Sequence, residues 1–202
     1  MTSAPHALLP VAHNFVRVCW MAFVLVWIAS ALSVRRAPAK RRQSVASWLL
    51  VIPFGMAGMV LMFVSSRAVP LGIFDLRFDN ERSDGLSIAA MVLTALGVGL
   101  AIWARGSLGG NWSGRIAVRE GQELVVSGPY RLVRHPIYAG ILLAFFGTAF
   151  LRFSPRAFLG VLLFFGIFLY RIRVEERFLG DEFGARWEEY RSRVKALIPF
   201  VI

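Results

Sequence analysis

Five apolar stretches separated by short polar segments organise the chain, at residues 15–34, 48–69, 86–104, 137–150 and 157–170. The first three reach the length of about 20 residues that a helix needs to cross a bilayer at about 1.5 Å per residue. The last two hold 14 residues each and are separated only by residues 151–156, which predicts a tight helical hairpin. The fold class expected is therefore all-α: an integral membrane protein with about five transmembrane helices, the last two forming a short helical hairpin. Beyond them, Phe178, Leu179, Phe183, Trp187, Tyr190, Val194 and Leu197 recur at spacings of three and four. That period predicts a C-terminal amphipathic helix over 175–197, lying on the membrane surface or capping a pocket. The expected organisation is three transmembrane helices in 1–104, then a second half, 105–202, made of the loop 105–136, the hairpin 136–171 and the terminal helix.

Composition supports a membrane protein. Apolar residues make up 57% of the 202 and charged residues only 17%, against about 45–50% and about 25% in soluble domains. The net charge of +11 is strung between apolar runs, with no basic domain to hold a duplex. Anionic lipid headgroups are its simpler partner, and no nucleic acid is expected. One cysteine, Cys19, and three histidines, His6, His13 and His135, give neither a disulfide framework nor a metal site. The first run is longer than a signal-peptide core and is followed by RRAPAKRR, so it is read as a retained span. Gly55, Gly58, Gly97 and Gly99 are candidates for close helix packing. Asp75, Asp79, Glu81 and Asp84, in the loop 68–85, do not have the spacing of an EF-hand.

Basic residues orient the spans, because short cytoplasmic loops are enriched in Lys and Arg. With five crossings and the N-terminus outside, 17 of the 23 Lys and Arg fall on the cytoplasmic side. This puts the loop 105–136 and the tail 171–202 in the cytoplasm together. They are the only cytoplasmic segments polar and long enough to build a site.

The first of these ends in GPYRLVRHPIYAG, residues 128–140. Gly128-Pro129 breaks any helix, and Pro136 starts one, since proline's missing N–H costs nothing at the first helical position. Arg131, Arg134 and His135 beside that helix start form an anion-attracting corner. In the tail, Glu175 and Glu176 follow the last apolar run in helical register. A carboxylate at that depth is costly unless paired, either with an arginine such as Arg134 or Arg173 or with a cationic ligand.

These residues carry a resemblance. Gly128-Pro129-Tyr130, Val133-Arg134-His135-Pro136, Tyr138 and Gly140, with the later Glu175-Glu176, Leu179, Phe183-Gly184, Trp187, Tyr190 and Pro199, resemble the two signature blocks of the isoprenylcysteine carboxyl methyltransferase family and its phospholipid methyltransferase relatives. Arg105, Leu108-Gly109 and Trp112 are similar to a weaker motif of the same group. The resemblance covers 105–199 and leaves the first two spans out. It implies an integral-membrane enzyme that takes S-adenosyl-L-methionine on its cytoplasmic side. Tyr130, Val133, Arg134, His135, Tyr138, Glu175, Glu176 and Leu179 would bind the cofactor, and Arg134, Glu175 and Glu176 would carry the catalytic roles. Arg134 would also hold a nearby carboxylate in place.

The acceptor implied is a membrane lipid or an amphiphilic small molecule. A carboxylate arrives ionised and needs no general base, whereas an amine, thiol or hydroxyl must lose a proton, for which His135 or a glutamate is the candidate. The scarcity of histidine favours carboxyl O-methylation. Phospholipid N-methylation is the alternative within the class, and a non-catalytic scaffold or lipid-binding protein is the alternative outside it. No inverted repeat or deeply buried charge in the first three spans points to a transporter.

Overall fold

The computed structural model describes residues 8–31, 39–42, 48–64, 84–109, 117–119 and 123–199. Asp75, Asp79, Glu81 and Trp112 lie outside the described residues. The helices are α1 (Leu8–Ala31), α2 (Trp48–Phe63), α3 (Asp84–Leu108), α4 (Pro136–Arg152), α5 (Pro155–Phe183) and α6 (Ala185–Arg193), with a 3-10 turn at Gly128–Arg131. One short antiparallel pair, Ala39–Arg42 with Ala117–Arg119, is added to the helical fold. It brings residues 39–42 and 117–119 to the same end of the molecule.

Among the described residues five apolar helices are present, but their lengths fall differently from the apolar runs. α1, α3 and α5 are long and apolar enough to cross a membrane, while α2 and α4 are shorter. The fifth helix does not stop at 170. It continues to Phe183 and carries Glu175 and Glu176 on its last turns. A separate helix over 175–197 is therefore not what forms: the break falls at Gly184, and α6 covers only Ala185–Arg193. The physical reason is backbone conformation. Gly184 takes φ +50°, which ends one helix and redirects the next, and only glycine adopts it without steric cost. The α4–α5 turn is as tight as expected, with Phe153 in the left-handed region and Pro155 starting α5.

Among the described residues α3 and α4 form the largest helix interface, and they are antiparallel, Gly140 lying against Gly97 and Gly147 against Thr94. A Cβ on Gly97 would meet Ala144 N at 2.4 Å and Gly140 O at 2.5 Å, and one on Gly140 would meet Gly97 O at 2.6 Å. Small residues let the two backbones touch, where lipid supplies no hydrophobic drive of its own. Gly58 does similar work against Phe164, whereas Gly55 and Gly99 face open space. α1 runs alongside α3, fixed at one end by Leu8 N–H to Asp84 Oδ1 (3.4 Å) and at the other by Arg105 Nη2 to Ser30 O (2.8 Å). Arg105, only 3% exposed, thereby satisfies carbonyls at the ends of both helices, its Nη1 donating to Gly109 O at 3.0 Å.

Aromatic rings fill the centre. Phe145 stacks on Trp20 on one side (4.8 Å) and on Phe164 on the other (4.3 Å), and Phe168 stacks on Tyr138 (4.8 Å). Trp20 Nε1 donates to Thr148 Oγ1 at 3.0 Å, so α1 is also pinned to α4. The ladder from α1 to Tyr138 holds α4 and α5 at the spacing on which the polar cluster beyond them depends.

Gly97→Ala is expected to destabilise the protein by about 1–3 kcal/mol through overpacking, whereas Gly99→Ala is neutral. Melting curves in detergent check this; equal midpoints for the two variants would contradict the packing assigned here.

Candidate functional site

The polar cluster sits where the turn before α4, the last turns of α5 and helix α6 meet. Pro129 and Tyr130 are buried in the 3-10 turn, and Val133 is 3% exposed. The chain then turns into His135, the N-cap of α4, which is itself 5% exposed. Two backbone bonds strap the segment after α6 to this turn: Arg134 N–H to Lys195 O (2.7 Å) and His135 N–H to Ala196 O (2.9 Å). The Tyr190 hydroxyl donates to Tyr130 O at 2.6 Å, and Trp187 lies 2% exposed beneath. Burial pushes the Tyr190 hydroxyl up to about 12, so it remains a donor at any physiological pH.

Arg134 is the hub. Its Nε donates to Glu176 Oε1 at 2.9 Å and its Nη2 lies 2.7 Å from the same oxygen. Nη1 donates to Arg191 O at 3.2 Å and to Val194 O, carbonyls at the C-terminal end of α6 that have no helical partner. The guanidinium carbon is 5.9 Å from the centre of the Trp187 ring. His135 Nε2 is 3.2 Å from Glu176 Oε1, and Arg191 Nε is 3.8 Å from Oε2. The cationic corner read from the sequence therefore already holds an anion, and that anion is the chain's own Glu176. Arg134 is the arginine that meets it; Arg173 and Arg131 are exposed.

Glu175 is held differently. Its Oε2 accepts from the Tyr138 hydroxyl at 3.0 Å and lies 3.9 Å from His135 Nδ1. Its side chain is 35% exposed against 14% for Glu176. No arginine among the described residues forms an ion pair with it. Tyr138 is fixed in turn by stacking between His135 (5.7 Å) and Phe168 (4.8 Å), and it accepts from Arg171 Nε at 3.2 Å. Leu179 is half-buried one turn beyond Glu175.

The structure thus brings Arg134, His135, Tyr138, Glu175 and Glu176 into one cluster. Tyr130 and Val133 are packed behind it. Arg171 and Arg191 also belong to the cluster, and sequence reasoning did not single them out. Arg171 had one available signal, its position four residues before Glu175 on the same helix face. Arg191 had none, because its approach to Glu176 depends on the turn at Gly184. Among the described residues no group of three or more His, Cys, Asp or Glu could hold a metal ion.

A family model described as phospholipid methyltransferase matches residues 86–186. The chain is 36% identical over 88 residues to a probable protein-S-isoprenylcysteine O-methyltransferase of Oryza sativa subsp. indica, covering 43% of this chain and 46% of that protein. It is 30% identical over 162 residues to the cobalt-zinc-cadmium resistance protein CzcN of Cupriavidus metallidurans, covering 78% of this chain and 64% of that one. Methanethiol S-methyltransferase 2 of Bradyrhizobium diazoefficiens is 42% identical over 74 residues, 35% of this chain and 26% of that protein. The chain thus spans under half the length of the first curated relatives it matches. In fold it is similar to the eukaryotic intramembrane Ras methyltransferase ICMT, with a TM-score of 0.60 at 20% identity over 100% of this chain and 70% of that one.

Arg134→Lys keeps the charge but not the planar fork that reaches Glu176 and the α6 carbonyls together. Faster amide hydrogen exchange across residues 185–196 is expected, with α1 unchanged; protection equal to the parent protein would refute the capping role of Arg134.

Proposed function

Because the chain belongs to the phospholipid methyltransferase family, we propose that it is a multi-pass membrane enzyme that transfers a methyl group from S-adenosyl-L-methionine to a lipid-like or amphiphilic acceptor. The observation that carries this reading is the unequal state of the two adjacent carboxylates. Glu176 is ion-paired with Arg134 and contacts His135, while Glu175, one residue away and more exposed, accepts from the Tyr138 hydroxyl, lies 3.9 Å from His135 Nδ1 and forms no ion pair with an arginine among the described residues.

The donor set fits such a cofactor. A sulfonium and an ammonium group need a carboxylate that no arginine has already taken, and Glu175 forms no ion pair with an arginine among the described residues. Arg171, bonded to Tyr138, brings positive charge to the same corner and fits the amino-acid carboxylate. Tyr138 and His135 offer stacked ring faces beside it. When bound, the cofactor supplies an activated methyl group whose departure leaves a neutral thioether, so the leaving group needs no proton.

The protein's own contribution is orientation and exclusion of water, which can be worth about 7–11 kcal/mol of a displacement barrier. Tyr138 aims Glu175 by holding Oε2. Arg134 and Glu176 act as positioning residues: they fix the turn before α4 against α5 and dock α6 over both. His135 Nε2 faces Glu176, and that carboxylate is itself held by Arg134, so neither is a free general base. An acceptor that arrives ionised suits this site best, which favours carboxyl O-methylation over N-methylation. The acceptor reaches the cluster from the bilayer, since α4 and α5 are apolar up to its edge. The density of basic residues in 35–42, 105–134 and 171–195 supports a cytoplasmic site and C-terminus, with the N-terminus outside.

Titration calorimetry on protein in detergent is expected to show binding of S-adenosyl-L-methionine, weakened at least about tenfold, or about 1.4 kcal/mol, by Glu175→Gln, His135→Ala or Glu176→Ala. Unchanged affinity in all three would refute the site, and a parent protein that binds no cofactor would favour a scaffold. Methyl-labelled cofactor incubated with membrane extract is expected to label a base-labile ester. In Cys19→Ser protein carrying Ser192→Cys, an impermeant thiol reagent is expected to label open membranes but not intact cells; labelling of intact cells would reverse the orientation.

A further inference from the structure

A cavity of about 550 Å³ opens between α1, the end of α2 and the end of α4, lined in part by Trp20, Val24, Leu25, Phe63 and Leu151. It is not the site described above. α4 starts at the cluster with Pro136 and reaches this cavity at Leu151 and Arg152, roughly 24 Å away at about 1.5 Å per residue. The volume lies within the range of about 300–1,000 Å³ common for small-molecule sites. Its walls are apolar, yet one end carries His13, Arg17 and Arg152, and no carboxylate is among the described residues that line it.

Those cations are arranged by helix geometry. His13, Arg17, Trp20 or Met21, and Val24 follow at spacings of three and four, so one stripe of α1 is basic at its start and apolar beyond. His13 Nδ1–H donates to Leu9 O at 2.9 Å. Arg152 Nη2 donates to Phe63 O at 3.0 Å, which brings its guanidinium to the end of α2. Arg17 is exposed and forms no ion pair with any described residue. The outward side of α1 faces lipid, with Met21 62% and Leu25 64% exposed, so the cavity is continuous with a surface that the bilayer covers.

We propose that this cavity is a second, non-catalytic binding site for an anionic phospholipid, with an acyl chain along Trp20, Val24 and Leu25 and the phosphate between Arg17 and Arg152. An apolar slot ending in arginines, beside the C-terminal ends of α2 and α4, matches a lipid whose headgroup is an anion; a zwitterionic lipid brings its own cation to the same arginines and gains less. The site depends on α1, which the two signature blocks do not include, and the proposal does not rest on the methyl-transfer reading.

The test is native mass spectrometry of the detergent-solubilised full chain, supplied with phosphatidylglycerol or phosphatidylcholine of identical acyl chains. The parent protein is expected to retain phosphatidylglycerol preferentially, by at least about fivefold, the worth of the Arg17–headgroup contact alone. Arg17→Gln, at an exposed position, is expected to remove that preference without changing the melting temperature. Val24→Trp, which fills the slot, is expected to lower retention of both lipids. Equal retention of the two lipids by the parent protein, or a preference that survives Arg17→Gln, would overturn the assignment. Cofactor binding is measured separately, so a protein that binds phosphatidylglycerol but no S-adenosyl-L-methionine would sink the enzymatic reading and leave this one standing.

Discussion

Arg134 sits in the turn before α4 and answers three needs at once: a carboxylate on α5, the open carbonyls at the end of α6, and the face of Trp187. Each alone would be modest. Together they fix the turn before α4, the end of α5 and the whole of α6 in a single arrangement, because the five donors of a guanidinium are rigid relative to one another. Replacing a buried pair by apolar residues is often neutral in stability, but removing one partner is not, since the other charge is left behind in a poorly solvated place. The Arg134–Glu176 pair therefore works mainly as a fixture of geometry. What it fixes is the place of the neighbouring Glu175, which forms no ion pair with an arginine among the described residues.

That fixture operates only because the hydrophobic part of the molecule is stiff. Backbone contact between α3 and α4 through Gly97 and Gly140 leaves no room for sliding, and the stacked rings from Trp20 through Phe145 and Phe164 keep α1, α4 and α5 in register. Tyr138 joins the two regions. Its ring packs on Phe168 within the apolar centre while its hydroxyl reaches Glu175 and Arg171. An aromatic side chain with a polar tip is suited to this boundary, because one end is dry and the other is wet.

Particular residues show how far sequence reading goes. The Arg134–Glu176 pairing could be anticipated, because a carboxylate just past a span must find a cation and few are within reach. The α4 start could be read from Pro136, and the hairpin from Ser154-Pro155. The continuation of α5 to Phe183 was not read, because the fall in hydropathy at Arg171 marks where the membrane environment ends, and a helix need not end there. Arg171 and Arg191 entered the cluster through helix phase and through the turn at Gly184, neither of which local composition reports.

By itself, then, the sequence determined the class of the protein: five apolar helices, one end of the molecule rich in arginine, and two polar blocks that attract opposite charges. These follow from one-dimensional quantities, namely length, hydropathy and charge order. Only the tertiary structure decided that Glu176 is spent on Arg134 while Glu175 is not, and that an apolar slot with arginines at its mouth opens at the other end of α4. Both depend on which side chains are brought within about 4 Å by helix rotation and tilt, and those are set by packing across the whole bundle.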